Sequence, residues 1–324
     1  MSESQVGFRM GAAWLSRLLQ RMLLADNIPF RYIFNKIKVD VLRVWLFSVT
    51  FHIVKLIWTD DLPAIPSALP SVLGTAISLL LAFNLGQSYE RWWEARIVWG
   101  AIVNDSRTLL LELKAFVSPA HAQVPHVQRM VKNLAYRQIA WCYSLGQSLR
   151  KQDPLENLPQ FLLPQEMEYL ADKANKPLAL QVLHMQDLNQ LYQEKVLRQM
   201  QQTQLAATVG RLCDSMGKAE RINTTVFPAT YSMFIHFFIY LFLVILSFTL
   251  VESIGIYEIP VLTAVASTFF LIEKTAKEIQ DPFRNRPTDT AVTAIARTIE
   301  INLKQMLGEK DVPEPLKPDG YFLM

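Results

Sequence analysis

Two long stretches of the chain, Leu62 to Tyr89 and Ile222 to Val251, contain no Asp, Glu, Lys or Arg. Each exceeds the ~20 residues that a helix needs to cross a bilayer. A soluble helix keeps a charged, wet face, so such runs fit membrane-embedded segments better than fully buried core helices. Two weaker segments flank them. Val39 to Trp58 is interrupted by Asp40, Arg43, His52 and Lys55; Arg43 and Lys55 lie near its ends, where long side chains reach headgroups. Ile259 to Ile272 is apolar and contains Pro260. Beside a strong span, each reads as its hairpin partner. The expectation is an all-α membrane protein with two hairpins, connected through Thr59–Pro70 and Glu252–Pro260.

Composition removes the competing classes. Hydrophobic residues make up 51% and charged ones 19%, against about 25% charged in an ordinary soluble chain, so disorder is excluded. Cys142 and Cys213 are too few for a disulfide scaffold and read as small packing residues. There is no repeat period, and a net charge of +3 gives no case for nucleic acid.

Flanking charge sets the orientation. The two connections carry Asp60, Asp61, Glu252 and Glu258 and no Lys or Arg, whereas the other ends carry Arg31, Lys36, Lys38, Arg91, Arg96, Lys218, Arg221, Lys274 and Lys277. Both termini and the long middle segment are therefore expected in the cytoplasm. No cleavable signal peptide is expected, since Met1–Met10 is polar.

The middle segment reads as helical, with apolar residues at 3–4 spacing in Asn104–Phe116, Val127–Ser144 and Pro177–Leu191. Pro119, Pro125, Pro154, Pro159 and Pro164 mark its loops. Thr203–Arg221 is a further helix leading into the third span. Thr288 or Asp289 is the expected cap of a last helix carrying Val292, Ile295, Ile299 and Leu303 on one face. An extended tail follows Gly308.

Chemistry-bearing motifs are absent: no P-loop, GxGxxG, HExxH, CxxC or GxSxG occurs. The five histidines are scattered, and His121 and His126 do not share a helix face. No cofactor or metal is called for, and weight moves from an enzyme toward a channel or transporter. In the second span, Thr75, Leu79 and Phe83 fall within a sector of ~80°, amid small or polar residues such as Gly74, Ser78, Ala82 and Gly86. The face has two readings. It packs in a bundle, or several copies surround an axis and Leu79 and Phe83 form an apolar constriction that gates by dewetting.

Directly after this span stands Ser88-Tyr89-Glu90-Arg91-Trp92-Trp93-Glu94-Ala95-Arg96. Glu220-Arg221-Ile222-Asn223-Thr224 precedes Pro228, and Glu278-Ile279-Gln280-Asp281-Pro282-Phe283 follows the fourth span. In this order and spacing the three strings resemble the bacterial branch of the bestrophin family, from about Arg31 to Leu307. The resemblance implies a homopentameric ion channel with one central pore, four membrane helices per subunit and a helical cytoplasmic region. It implies partners limited to further copies of the chain, membrane lipid and permeant small ions, in the bacterial inner (plasma) membrane. The family's neck positions fall on Thr75, Leu79 and Phe83, with Thr75 a departure from the usual aliphatic residue. A gapless count back from Pro228 places the cytosolic aperture at Met200, with Val196 or Gln204 as neighbours. Arg91, Trp92, Trp93, Glu278, Asp281, Pro282 and Phe283 become structural motif residues, with Glu278 and Asp281 capping helices and tying subunits together.

The expected organisation is a cytoplasmic N-terminal helix region (1–38), a first membrane hairpin with the pore helix (39–89), a cytoplasmic helical region (90–221), a second hairpin (222–277) and a cytoplasmic C-terminal helix and tail (278–324). Eukaryotic members bind calcium through a carboxylate run after their motif. Here Arg284, Asn285, Arg286, Pro287, Thr288 and Asp289 follow, so no calcium site is expected. Anion conduction is the family default. Cation conduction is the alternative, drawn from Asp60, Asp61, Glu252 and Glu258 as outer-vestibule charges if these face the pore mouth. A membrane-anchored scaffold and a membrane enzyme using Glu90, Glu94 or the Asp281 region are more distant.

Overall fold

The computed structural model describes residues 30–57, 65–225 and 228–317. Within them the chain is helical, with no strand. The helices are α1 (Phe30–Ile57), α2 (Ala68–Phe116), α3 (Pro119–Ala122), α4 (Pro125–Leu149), α5 (Pro164–Ala171), α6 (Lys176–Gln193), α7 (Gln199–Thr224), α8 (Ala229–Ile254), α9 (Glu258–Ile279) and α10 (Val292–Leu307). The expected N-terminal region 1–38 lies outside the described residues up to Pro29, and Asp60 and Asp61 also lie outside them.

Several expected boundaries move, each for a local reason. The change from apolar to charged sequence at Glu90 is not a helix end: α2 runs unbroken for 49 residues. No proline lies between Pro70 and Pro119, and polarity alone does not stop a helix. The uncharged run from Ile222 to Val251 is conversely not one helix. It is split between α7, which ends at Thr224, and α8, which starts after Pro228. Proline has no N–H to continue the ladder and disfavours helical backbone at the residue before it. Pro119, Pro125 and Pro164 open helices rather than filling loops, at the position where a missing N–H costs nothing. The cap of α10 is Ala291, not Thr288 or Asp289, and it makes no side-chain cap bond.

The chain divides into two compact units. One contains α1, α2 up to Trp92, α8 and α9. Its core includes Ile77, Leu81, Ile239, Phe242, Leu262 and Phe270. Gly74 marks a close approach, since a Cβ there would stand 3.1 Å from Phe242 Cε2. Gly255, at φ +59°, begins the one-turn 3-10 helix that joins α8 to α9; glycine adopts this backbone without steric cost. Polar ties bind the helices. Lys36 pairs with Glu278 and Lys274 with Asp40; the Tyr240 hydroxyl donates to Asp40 Oδ1 at 3.2 Å; and His236 Nδ1 lies 3.0 Å from Glu273. Two stretches, Ala68–Phe116 and Thr230–Ile279, are long and apolar enough to cross a bilayer.

The other unit contains α2 from Trp93 onward, α3 to α7 and α10. Trp99, Trp141, Ile139, Leu113, Leu212 and Phe283 belong to its core. Gly146 lets α4 meet α10, with a Cβ placed 3.3 Å from Val292 Cγ2. Asn175 caps α6 by accepting from Leu178 N at 3.0 Å, and Gly308 ends α10 in the left-handed region.

Candidate functional site

The three residues of the second-span stripe are exposed on α2. Leu79 is 67% and Phe83 59% exposed, and Thr75 is exposed, whereas Leu81 is 1% and Ile77 3% exposed on the opposite side. The stripe is therefore a surface of the single chain and not part of its core. The Thr75 hydroxyl donates to Ser71 O at 2.9 Å and Ser78 to Gly74 O at 2.7 Å, so these side chains present methyl or methylene more than free hydroxyl. The Phe83 ring meets Tyr231 edge-on at 6.5 Å, and Tyr231 donates to Leu80 O at 3.3 Å. These contacts place the Tyr231 ring of α8 beside Phe83.

Met200 stands in the first turn of α7 and is 81% exposed. Val196 is 6% exposed and packs in the core. Gln204 is exposed, but its amide donates to Glu112 Oε1 at 2.8 Å. Of the three neighbours considered for an aperture, Met200 alone projects an apolar side chain to the surface.

The outer-vestibule carboxylates do not all behave as surface charge. Glu252 is exposed and lies 3.3 Å from Lys55 Nζ. Glu258 is a correction: it is fully buried, accepts from the Ser247 hydroxyl and lies 3.8 Å from His52 Nδ1. The 3-10 turn folds α9 back so that its first residue meets α8 rather than solvent.

Among the motif residues, Arg91 Nη2 lies 4.0 Å from Asp281 Oδ1. Tyr89 and Trp92 have ring centroids 5.9 Å apart, and Trp93 is 49% exposed. Pro282 accepts from Thr290 N at 3.1 Å, and Phe283 is buried. The segment after Phe283 does not fit a calcium ion. Asp289, its only carboxylate up to Thr290, is buried and accepts from Arg286 N at 3.1 Å. A calcium ion needs six to eight oxygens, and Arg284 and Arg286 stand where a carboxylate run would. Burial pushes the Asp289 carboxyl up to about 6. Glu278 and Asp281 of the preceding motif face Lys36 and Arg91 within the same chain.

Residue-by-residue reading of the sequence did not find the buried ionic groups. Arg137 is 4% exposed, is bonded to Glu166, and donates from Nη1 to Asp187 Oδ2 at 2.7 Å. Burial raises the Asp187 carboxyl above its ordinary value against the pull of Arg137. Beside them, burial and then the Arg137 charge hold His184 well below the usual imidazole range. Nothing in a lone Arg within a helical pattern announces partners 29 and 50 residues away. Burial also pushes the Cys142 thiol up to about 12, which makes it inert packing. Among the described residues no three His, Cys, Asp or Glu side chains gather as metal ligands.

An exposed apolar stripe on the uncharged first part of α2, a helix long and apolar enough to cross a bilayer, fits a membrane protein. The chain belongs to the bacterial and fungal bestrophin family, whose model matches residues 22–305. It is 31% identical over 295 residues to the voltage-dependent anion channel-forming protein YneE of Escherichia coli K12, covering 90% of this chain and 93% of the relative. It is 28% identical over 316 residues to the voltage-dependent anion channel-forming protein RSc3414 of Ralstonia nicotianae, covering 98% and 97%. A crystal structure of a bacterial bestrophin homologue from Klebsiella pneumoniae superposes with a TM-score of 0.78 at 28% identity, over 85% of this chain and 99% of that one. The matched relatives are channel-forming proteins rather than enzymes, and the chain is a bacterial membrane protein of this family.

Proposed function

We propose that this chain is one subunit of a homopentameric channel that passes small anions, chloride among them, down their gradient. Each subunit contributes α1, the first half of α2, α8 and α9 to the bacterial inner membrane, with both termini cytoplasmic. The second compact unit, with α10 and the tail, forms the cytoplasmic part. Five copies of the Thr75–Leu79–Phe83 stripe line the neck, and Leu79 and Phe83 close it by dewetting. Met200 lines a second, cytosolic constriction. The observation that carries this reading is the exposed stripe itself: Leu79 and Phe83 leave large apolar surface uncovered on a helix fit to cross a bilayer, in a chain whose relatives bear the name of anion channel-forming proteins.

Charge placement favours the anion over the cation reading. Of the described outer carboxylates, Glu252 is paired with Lys55 and Glu258 is buried. Neither offers bare negative charge to concentrate cations at the mouth. Chloride efflux from liposomes holding only the purified protein tests the channel against the scaffold: the account expects efflux above that of empty liposomes, and pentamers without flux in both the native chain and a neck-widened variant would refute it.

A further inference from the structure

Helix α1 carries two kinds of basic residue. Lys36 pairs with Glu278, and Arg43 lies 3.3 Å from Asp40. Arg31 and Lys38 are exposed and, among the described residues, meet no carboxylate. At 100° per residue, Arg31, Asn35 and Lys38 share a sector of about 80° with Leu42, Trp45 and Ile53 further along the helix. All six are exposed, Leu42 at 55%, Trp45 at 44% and Ile53 at 51%. The opposite side, with Ile37 and Val44, is buried in the core of its unit. The stripe thus has a cationic, hydrogen-bonding head about 10 Å long followed by an apolar track. Its only possible acidic neighbour on the helix, Asp40, points to the buried side and is bonded to Lys274.

We propose that Arg31, Asn35 and Lys38 bind the phosphate of an anionic phospholipid whose acyl chains lie along Leu42, Trp45 and Ile53. The proposal rests on the reading of α1 as a membrane helix. A free phosphate would use the head alone, whereas a lipid uses the head and the contiguous apolar track, so the lipid is the occupant the surface fits. Guanidinium and ammonium donors match a phosphodiester, and basic residues at the cytoplasmic face draw anionic lipid. A zwitterionic headgroup would bring its own cation against Arg31 and Lys38 with no carboxylate on the exposed face to receive it.

Trp45 reports the occupant directly. The purified full chain is placed in phosphatidylcholine vesicles containing brominated phosphatidylglycerol or brominated phosphatidylcholine, and the Trp45 quench is isolated by difference from W45F. The expected result is a preference for the brominated phosphatidylglycerol on the order of tenfold. This preference should disappear in R31Q/K38Q and survive in K277Q, which removes an exposed cation from α9. Equal quenching by both lipids, or a preference retained in R31Q/K38Q, would overturn the proposal while leaving α1 in the membrane. Quenching by neither lipid would overturn both. Efflux equal to that of the native chain checks that R31Q/K38Q is folded.

Discussion

Leu79 and Phe83 stand one helical turn apart on α2, both more than half exposed, while Leu81 between them is buried at 1%. The alternation separates two jobs on one helix. Leu81 and Ile77 belong to the core of their unit, and Leu79 and Phe83 leave apolar surface uncovered in the single chain. On the proposed reading of this face as the neck, the double variant Leu79→Ala/Phe83→Ala removes the apolar ring where an ion must shed water. Single-channel recording should show higher conductance or open probability. Unchanged values for both would mean that the face packs rather than lines.

Arg137 is buried between two carboxylates contributed by α5 and α6. Removing it in Arg137→Ala leaves Glu166 and Asp187 as uncompensated charges, a loss of about 3–5 kcal/mol for a broken buried pair. Thermal unfolding of the purified protein should move to markedly lower temperature. A change of less than about 1 kcal/mol would show that the network is solvated and the burial argument wrong.

The buried Asp289 carboxyl titrates near 6, above the ordinary aspartate value of 3.8, because burial disfavours its charge. Between those values the native state holds the proton more tightly than the unfolded state, so this group costs stability as pH rises through about 6. Asp289→Asn keeps an oxygen for Arg286 N and removes the charge. It should raise the unfolding temperature at pH 7.5 by the equivalent of about 3 kcal/mol and change it little at pH 4. An equal shift at both pH values would contradict the titration account.

No calcium activation is expected through the segment following Phe283. Asp281 and Glu278 already face Arg91 and Lys36, and Asp289 is occupied with backbone. Reconstituted current should be the same with and without micromolar cytosolic calcium. Current that rises with calcium and is lost in Asp281→Ala would reverse this.

Much of this was legible in the sequence because it depends on period alone. The Thr75–Leu79–Phe83 stripe follows from angular spacing, and α4 and α6 follow from apolar residues at 3–4 spacing. Boundaries were less legible where polarity and backbone chemistry disagree. The onset of charge at Glu90 marks an expected change of region but does not tell that one helix continues through it to Phe116, and the uncharged run through Pro228 is long enough for one helix although proline divides it. Tertiary burial was not legible. Glu258 reads as an outer charge until the 3-10 turn at Gly255–Tyr257 brings it under Ser247, and nothing in the sequence around Arg137 marks the carboxylates that α5 and α6 bring to it.

The most direct test of the central claim is a reversal potential. Purified protein in a planar bilayer under a tenfold sodium chloride gradient should reverse near the chloride equilibrium potential. Reversal near the sodium equilibrium potential would contradict the anion channel and return the pathway's selectivity to Asp60, Asp61 and Glu252.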